Sequence, residues 1–244
     1  MSLPVYLALT GAEFPHRPEN YQHLAYMACH FSPYGTGLSN IPRQLPPGCL
    51  MILNDRIPAL GHDPDRISQD LREAVENFEC DGVLLDFQQE KTSRQETITR
   101  AIVESLPCPV AVTEGYCNGL DCPVFLCPPL YATPEETLAK WGGREIWLEL
   151  GLWQQKLTLT EAGCEIGAAL PAEELRDSFF SEELCCGYRV EVLEDRAVFT
   201  LQREGSQLQM LLNRCQDARV TRAVGLFQEI GQYFDNSFFP PVSF

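Results

Sequence analysis

The sequence contains no long apolar run. Each of its apolar stretches is shorter than the roughly 20 residues that a membrane-spanning helix needs. The first residues, MSLPVYLALTGAEF, lack the basic region that opens a secretory signal peptide. We therefore expect no membrane anchor, no signal peptide and a cytoplasmic location.

Positive charge is scarce. With 18 Lys and Arg against 34 Asp and Glu, the formal net charge is −16 at pH 7. Nucleic acids and anionic membranes both bind basic surfaces. We therefore expect neither of them as a partner.

Paired cysteine motifs are missing too, although the chain contains 11 cysteines. Cys117, Cys122 and Cys127 are spaced too widely for the Cys-x-x-Cys pairs of structural zinc sites. A Gly-rich phosphate-binding loop is also absent. We predict no metal and no cofactor. Cysteines in apolar contexts without an export signal indicate free, buried thiols in a reducing compartment.

What the sequence does have is a series of short apolar runs separated by helical patterns. Runs that are apolar on both faces are typical of strands in a parallel sheet. They occupy residues 4–10, 23–32, 49–55, 81–88, 108–115, 123–129, 144–151 and 222–230. Eight strands with intervening helices predict an α/β fold, a single (β/α)₈ TIM barrel over residues 1–244.

The helices are expected at residues 63–78, 93–106, 133–142 and 205–218. The segment of residues 152–204 departs from the barrel pattern. Its alternating Tyr188, Val190 and Val192 indicate an antiparallel hairpin. We predict that this segment is a small α+β insertion between strands seven and eight.

The fourth strand, DGVLLDFQ (81–88), carries a carboxylate within its apolar run. Side-chain alternation places Leu84, Asp86 and Gln88 on one face. If that face lines the barrel, Asp86 is partly buried, and a buried carboxylate is costly unless it is paired or used. Functional residues of TIM barrels lie at the C-terminal ends of the strands. Asp86 is therefore the first candidate for a functional residue.

The same stretch resembles the strand-four motif of glycoside hydrolase family 18, the chitinases, which reads Asp-Gly-x-Asp-x-Asp-x-Glu. Asp81, Gly82 and Asp86 match this motif. Leu84 stands where the family has its middle Asp. Gln88 stands where the family has its catalytic Glu.

Two further stretches are similar to the family. YQHLAYMACHFS resembles its second strand, and the residues from RAVFTLQ to GLFQEI resemble its closing strand, helix and strand. The Trp that usually ends the last strand is absent, and Phe227 or Gln228 lies in its place. The Tyr-Asp pair expected near strand six is also missing, and Tyr131 is the nearest aromatic residue.

The resemblance implies a substrate-assisted mechanism. The strand-four Glu protonates the glycosidic oxygen, and the Asp two residues earlier, here Asp86, orients the N-acetyl group. Gln88 can hydrogen-bond that oxygen but cannot donate a catalytic proton, so we expect the family's reaction to be absent or very slow. The implied ligand is a glycan containing N-acetylglucosamine, such as a chitin or peptidoglycan fragment. Because related proteins are packaged into spores, the resemblance adds spore association as an alternative location.

Three interpretations stay open. The first is a chitinase-like protein that binds carbohydrate but lacks the catalytic acid. The second is an active glycosidase of atypical chemistry, whose acid would come from Glu90, Glu114, Glu149 or Glu229; one form of it uses Asp86 and Glu149 as the catalytic pair. The third is a barrel that serves only as a scaffold. The predicted ligand-binding residues are His30, Asp55, Tyr131 and Phe227. The sequence does not predict an oligomeric state.

Overall fold

The computed structural model describes residues 3–10, 23–217 and 219–234. The strands are β1 (Val5–Leu9), β2 (Leu24–Phe31), β3 (Leu38–Ser39), β4 (Leu50–Asn54), β5 (Gly82–Asp86), β6 (Val110–Thr113), β7 (Val124–Leu126), β8 (Ile146–Leu150), β9 (Trp153–Thr160), β10 (Gly163–Ile166), β11 (Leu170–Pro171), β12 (Phe179–Ser181), β13 (Cys186–Val192), β14 (Arg196–Gln202) and β15 (Val220–Leu226). The helices are α1 (Pro64–Asn77), α2 (Ser93–Ser105), α3 (Pro134–Ala139), α4 (Gly205–Arg214) and α5 (Phe227–Ile230).

Eight strands form a closed parallel barrel, in the order β1-β2-β4-β5-β6-β7-β8-β15, with β15 paired to β1. The predicted (β/α)₈ barrel is thus confirmed. The short strand β3 pairs antiparallel with β2 and is followed by a loop rather than a helix. The Gly and Pro residues of this segment disfavour a helix there.

Helix α1 follows directly from its local sequence. Asp63 caps it by accepting a hydrogen bond from the backbone N–H of Asp65 at 3.1 Å, and Pro64 occupies the first helical position. Its buried stripe includes Ile67 and Leu71, both in the main core between helices and barrel. No helix in the described ranges is long and apolar enough to span a bilayer.

Inside the barrel, a second cluster of side chains fills the space between the strands. Trp147 is fully buried at its base, and the guanidinium carbon of Arg222 lies 4.5 Å from the centroid of its ring. The Arg222 guanidinium also donates hydrogen bonds of 3.2 Å to the carbonyl of Asp81. These three residues lie at or near the N-terminal ends of their strands and fill that end of the barrel.

Residues 152–204 fold into a six-stranded antiparallel sheet in the order β10-β9-β14-β13-β12, with β11 paired to β9. We call it the insertion sheet. All residues of this segment are described, and they form strands, turns and loops without a helix. The expected α+β content is therefore corrected to β alone. The apolar and polar residues alternate with a period of two, which is the period of a strand.

The last predicted strand also needs correction. The expected range of 222–230 ends as a strand at Leu226, and Phe227–Ile230 form α5. Periodicity cannot separate a strand from a helical turn in so short an apolar run. Glu229 consequently lies on a helix and not at a strand end.

Candidate functional site

A cavity of about 750 Å³ opens at the C-terminal ends of the barrel strands. This volume is typical of small-molecule sites, and this end of a TIM barrel is where such sites lie. The floor is apolar and includes Ala8, Ile52, Leu84, Phe125 and Val224. The polar lining includes His30, Asn54, Asp86, Gln88 and Glu149.

Asp86 ends β5 on the inner face of the barrel, as side-chain alternation predicts. The side-chain amide of Gln88 donates a hydrogen bond of 3.0 Å to its Oδ1. Burial raises the pKa of Asp86, and the nearby charge of Asp55 raises it further, while the hydrogen bond from Gln88 lowers it. The Asp86–Gln88 pair therefore presents one carboxylate and one amide to the cavity.

Asp55 borders the same cavity, but its carboxylate is already engaged. Its oxygens accept hydrogen bonds from the backbone N–H groups of Gln88 at 3.0 Å and Gln89 at 2.9 Å. The side-chain amide of Gln95, in the first turn of α2, donates a third at 3.0 Å. The buried Asp55 carboxylate thus fixes the loop that carries Gln88.

Asn54 is a site residue that the sequence analysis missed. Its Nδ2 donates 2.9 Å hydrogen bonds to the carbonyls of both Met27 and Cys29. The pairing register of β2 with β4 shifts between Tyr26 and Cys29, so Asn54 satisfies carbonyls that this irregularity leaves over. The only sequence signal was an amide at the end of the apolar run LMILN.

His30 lines the cavity with both ring nitrogens occupied. Nδ1 lies 2.7 Å from the carbonyl of Phe31, and Nε2 lies 3.0 Å from the side-chain amide nitrogen of Asn40. These partners fit a neutral ring that donates from Nδ1 and accepts at Nε2. The fixed ring offers the cavity a rigid edge.

Glu149 on β8 lines the cavity as well. Its pKa is raised to about 7, chiefly by burial and also by the charges of Asp86 and Glu229, although a hydrogen bond with the thiol of Cys127 opposes the rise. Sequence analysis left the direction of this side chain open. Its strand neighbour Val224 is an inward-facing residue, so Glu149 faces inward as well.

Five other predicted site residues are not among those that line the cavity, and one of them, Glu90, is exposed in the loop after β5. Glu114 is exposed after β6, and Glu229 accepts a 3.4 Å hydrogen bond from the backbone N–H of Leu152. Tyr131 is exposed in the loop after β7, and Phe227 packs against the main core. The barrel therefore brings Glu149 together with Asp86, Gln88, Asp55 and His30 at the cavity, and the other five do not line it.

One tryptophan contributes to the cavity. Trp153, the first residue of β9, forms part of its wall, whereas Trp147 belongs to the barrel core and Trp141 packs on the outer core. The buried indole nitrogen of Trp153 has no hydrogen-bond partner among the described residues. The insertion sheet thus reaches the cavity through this residue.

Metal ligation has no structural counterpart in the described ranges. Among residues 3–10, 23–217 and 219–234, no three His, Cys, Asp or Glu side chains are grouped so that they could hold an ion. The polar groups that line the cavity include carboxylates, side-chain amides, the imidazole of His30 and the guanidinium of Arg56.

Glu149→Gln is expected to remove a pH dependence of stability between about pH 4.5 and 7. The pKa of this carboxyl is an ordinary 4.5 in the unfolded chain and about 7 in the folded protein. Its contribution to the free energy of unfolding is therefore complete below pH 4.5 and is lost as the pH rises through 7. Above this window the variant should be more stable than wild type by up to about 3 kcal/mol.

Urea denaturation at pH values below, within and above the window measures the free energy of unfolding of both proteins. Exposed Glu114→Gln should leave the profile unchanged, and parallel curves for wild type and Glu149→Gln would contradict the prediction.

No protein-family model matches the sequence, and no curated protein matches it. Solved structures do match. A GH18 chitinase from Cycas revoluta in complex with allosamidin is 12% identical, with 92% of this chain and 94% of that chain covered and a TM-score of 0.52. The barrel is similar in fold to GH18 chitinases.

Two other solved structures agree. The spore cortex-lytic enzyme SleL from Bacillus cereus is 11% identical, with 97% of this chain and 73% of that chain covered and a TM-score of 0.54. The C-terminal domain of a predicted chitinase from Desulfitobacterium hafniense is 8% identical, with 98% of both chains covered and a TM-score of 0.57. Identities this low show a common fold and nothing finer.

Proposed function

We propose that the barrel mouth binds an oligosaccharide containing N-acetylglucosamine and lacks the general acid of chitinases. The observation that carries this proposal is the hydrogen-bonded Asp86–Gln88 pair at the end of β5, which faces a cavity of about 750 Å³. The fold similarity to GH18 chitinases supports it, because Asp86 and Gln88 then occupy the positions that the motif resemblance assigns to the acetamido-orienting Asp and the acid.

The pair offers complementary hydrogen-bonding groups. The Asp86 carboxylate can accept a hydrogen bond from the N–H of an acetamido group, and the Gln88 amide can donate one to a glycosidic oxygen. The apolar floor, with Phe125 and Leu84, can pack against the apolar face of a sugar ring. Proton transfer is missing, because an amide is not an acid at ordinary pH.

A solved neighbour supports the binding of an oligosaccharide by a barrel of this fold that carries a glutamate-to-glutamine change. A doubly substituted GH18 chitinase from Cycas revoluta, in which one change replaces a glutamate by glutamine, was solved in complex with (GlcNAc)₄ at a TM-score of 0.51. A barrel of this fold with a glutamate replaced by glutamine therefore holds an oligosaccharide.

Calorimetric titration with chitotetraose tests the proposal. Wild type should bind, and Asp86→Ala should weaken binding by about tenfold or more, because a hydrogen bond to a charged group is lost. Glu114→Ala removes an acid that does not line the cavity and should bind as wild type does. Equal affinities for wild type and Asp86→Ala would refute the proposed site.

Glu149 favours a second candidate function, an active glycosidase of unusual chemistry. Its carboxyl lies in the same cavity as that of Asp86, and its pKa of about 7 suits a general acid at neutral pH. This candidate replaces the first if wild type hydrolyses a fluorogenic chitobioside, Glu149→Gln abolishes the activity, and the rate falls as the pH rises through 7.

A further inference from the structure

One wall of the candidate cavity, formed by the ends of β2, β3 and β4 and the residues that follow them, has few free polar groups. The Asn54 amide is engaged, since Nδ2 donates to two backbone carbonyls and Oδ1 accepts a 3.2 Å hydrogen bond from the backbone N–H of Arg56. Asp55 accepts three hydrogen bonds, and both ring nitrogens of His30 have partners. Among the described residues, this leaves Oδ1 of Asn40 and the Arg56 guanidinium without a protein partner. A guanidinium only donates, so Asn40 supplies the free acceptor of this wall.

The orientation of the Asn40 amide follows from its neighbours. β3 pairs with β2 so that Ser39 lies opposite His30, which brings the next residue, Asn40, beside the His30 ring. The carbonyl of Phe31, 2.7 Å from Nδ1 of His30, can only accept, so Nδ1 carries the proton and Nε2 of the neutral ring accepts. The group 3.0 Å from Nε2 is therefore the donating Nδ2 of Asn40. The carbonyl of Phe31 thus determines, through His30, that the amide of Asn40 has its oxygen left for the cavity.

The backbone of Asn40 is held as firmly as its side chain. Its φ is +58°, in the left-handed region that residues other than glycine seldom adopt, and the hydroxyl of Tyr26 donates a 2.6 Å hydrogen bond to its carbonyl. Three other described non-glycine residues have a positive φ, namely Glu79, Asp177 and Cys185, and none of them lines the cavity. Conformations of this kind cluster at ligand sites, where the surrounding structure maintains them.

We propose that Asn40 is a ligand-binding residue whose Oδ1 accepts a hydrogen bond from a hydroxyl or N–H group of the bound oligosaccharide, and that His30 is the positioning residue that orients it. The proposal rests on the proposed function and adds to it a contact on the wall of β2 and β3. An acceptor that is already fixed loses little freedom when the ligand binds. A few polar groups placed in this way determine how a ligand lies in a largely apolar cavity.

Calorimetric titration of chitotetraose into three variants tests the contact. Asn40→Gly removes the amide, and glycine adopts a positive φ freely, so binding should weaken by about threefold to tenfold while the fold is kept. Asn40→Asp tolerates the same backbone and keeps an oxygen acceptor, so it should bind more tightly than Asn40→Gly. Glu79→Gly makes the matched change at an exposed residue with positive φ that does not line the cavity, and it should bind as wild type does.

The role of His30 is tested by a double-mutant cycle. His30→Phe keeps an aromatic ring but removes the Nε2 acceptor that orients the Asn40 amide. It should weaken chitotetraose binding in the wild-type background and weaken it less in the Asn40→Gly background, where no amide is left to orient. Equal effects in the two backgrounds would overturn the positioning role of His30. Urea denaturation of each variant shows that the proteins compared are folded.

The proposal holds if Asn40→Gly alone of the two glycine variants weakens binding and Asn40→Asp restores part of the affinity. If wild type and Asn40→Gly bind chitotetraose equally, Asn40 serves only the turn after β3, and the proposal is overturned while the proposed function stands. If Asn40→Asp binds as weakly as Asn40→Gly, the oxygen is not the contact, and the proposal is likewise overturned. If wild type does not bind chitotetraose, the proposed function and the proposal are both overturned.

Discussion

Gln88→Glu is expected to raise the rate of chitobioside hydrolysis by about 10²- to 10⁴-fold, the usual contribution of a general acid. The position lies at the cavity mouth beside Asp86, where the motif resemblance places the acid. The neighbouring Asp86 carboxylate disfavours ionisation of the introduced carboxyl, so that carboxyl should keep its proton nearer to neutral pH than a free one. Release of fluorophore from the chitobioside measures the effect.

Two controls test whether the gain in activity depends on position 88 and on Asp86. Gln89→Glu adds the same charge one residue further along the same loop and should gain nothing. Adding Asp86→Ala to Gln88→Glu should abolish the gained activity, because the acetamido group is no longer oriented. A folded Gln88→Glu protein that binds chitotetraose but hydrolyses nothing would show that the cavity does not hold its ligand as chitinases do.

Asp55→Ala is expected to lower the free energy of unfolding by about 3 kcal/mol or more. The substitution leaves three hydrogen-bond donors, two of them backbone N–H groups, without their acceptor. Each donor that stays buried without a partner costs roughly 1–3 kcal/mol. Asp55→Asn keeps one acceptor oxygen and should lose less. Urea denaturation, with the midpoint compared at a constant slope, measures both variants.

Asp63→Ala is the matched control, because it removes the exposed cap of α1 and should cost only about 1 kcal/mol. Asp55→Ala should also weaken chitotetraose binding, because Gln88 loses the backbone anchor that holds its loop. A loss of stability no larger than that of Asp63→Ala would mean that Asp55 does not hold the loop in this way.

Local sequence was sufficient to predict much of this architecture. The eight apolar runs are barrel strands, and α1 starts at Asp63 and Pro64, where the helix of residues 63–78 is predicted to begin. Asp86 lies on the inner face because side chains alternate along a strand, and β5 keeps its register throughout. These features depend on neighbours in the chain, so the sequence contains them directly.

Other features depend on contacts between distant parts of the chain. Asp55 binds groups that are 33 to 40 residues away, so its anchoring role was invisible to local reasoning. Glu149 is the fourth of the five residues of β8, and only the closed barrel fixes which face of that strand is the inner one. The predicted last strand became α5 after Leu226, because a short apolar run fits either structure.

By itself, then, the sequence determined a parallel barrel, an inward-facing Asp86 and an amide, Gln88, where the motif resemblance places the chitinase acid. The tertiary structure alone decided which carboxyls share a cavity, since Glu149 joins Asp86 there while Glu114 and Glu229 do not line it. It also decided that the insertion sheet reaches the cavity wall through Trp153. The physical reason is that strand alternation is a property of neighbouring residues, whereas a cavity is made where strands distant in sequence converge.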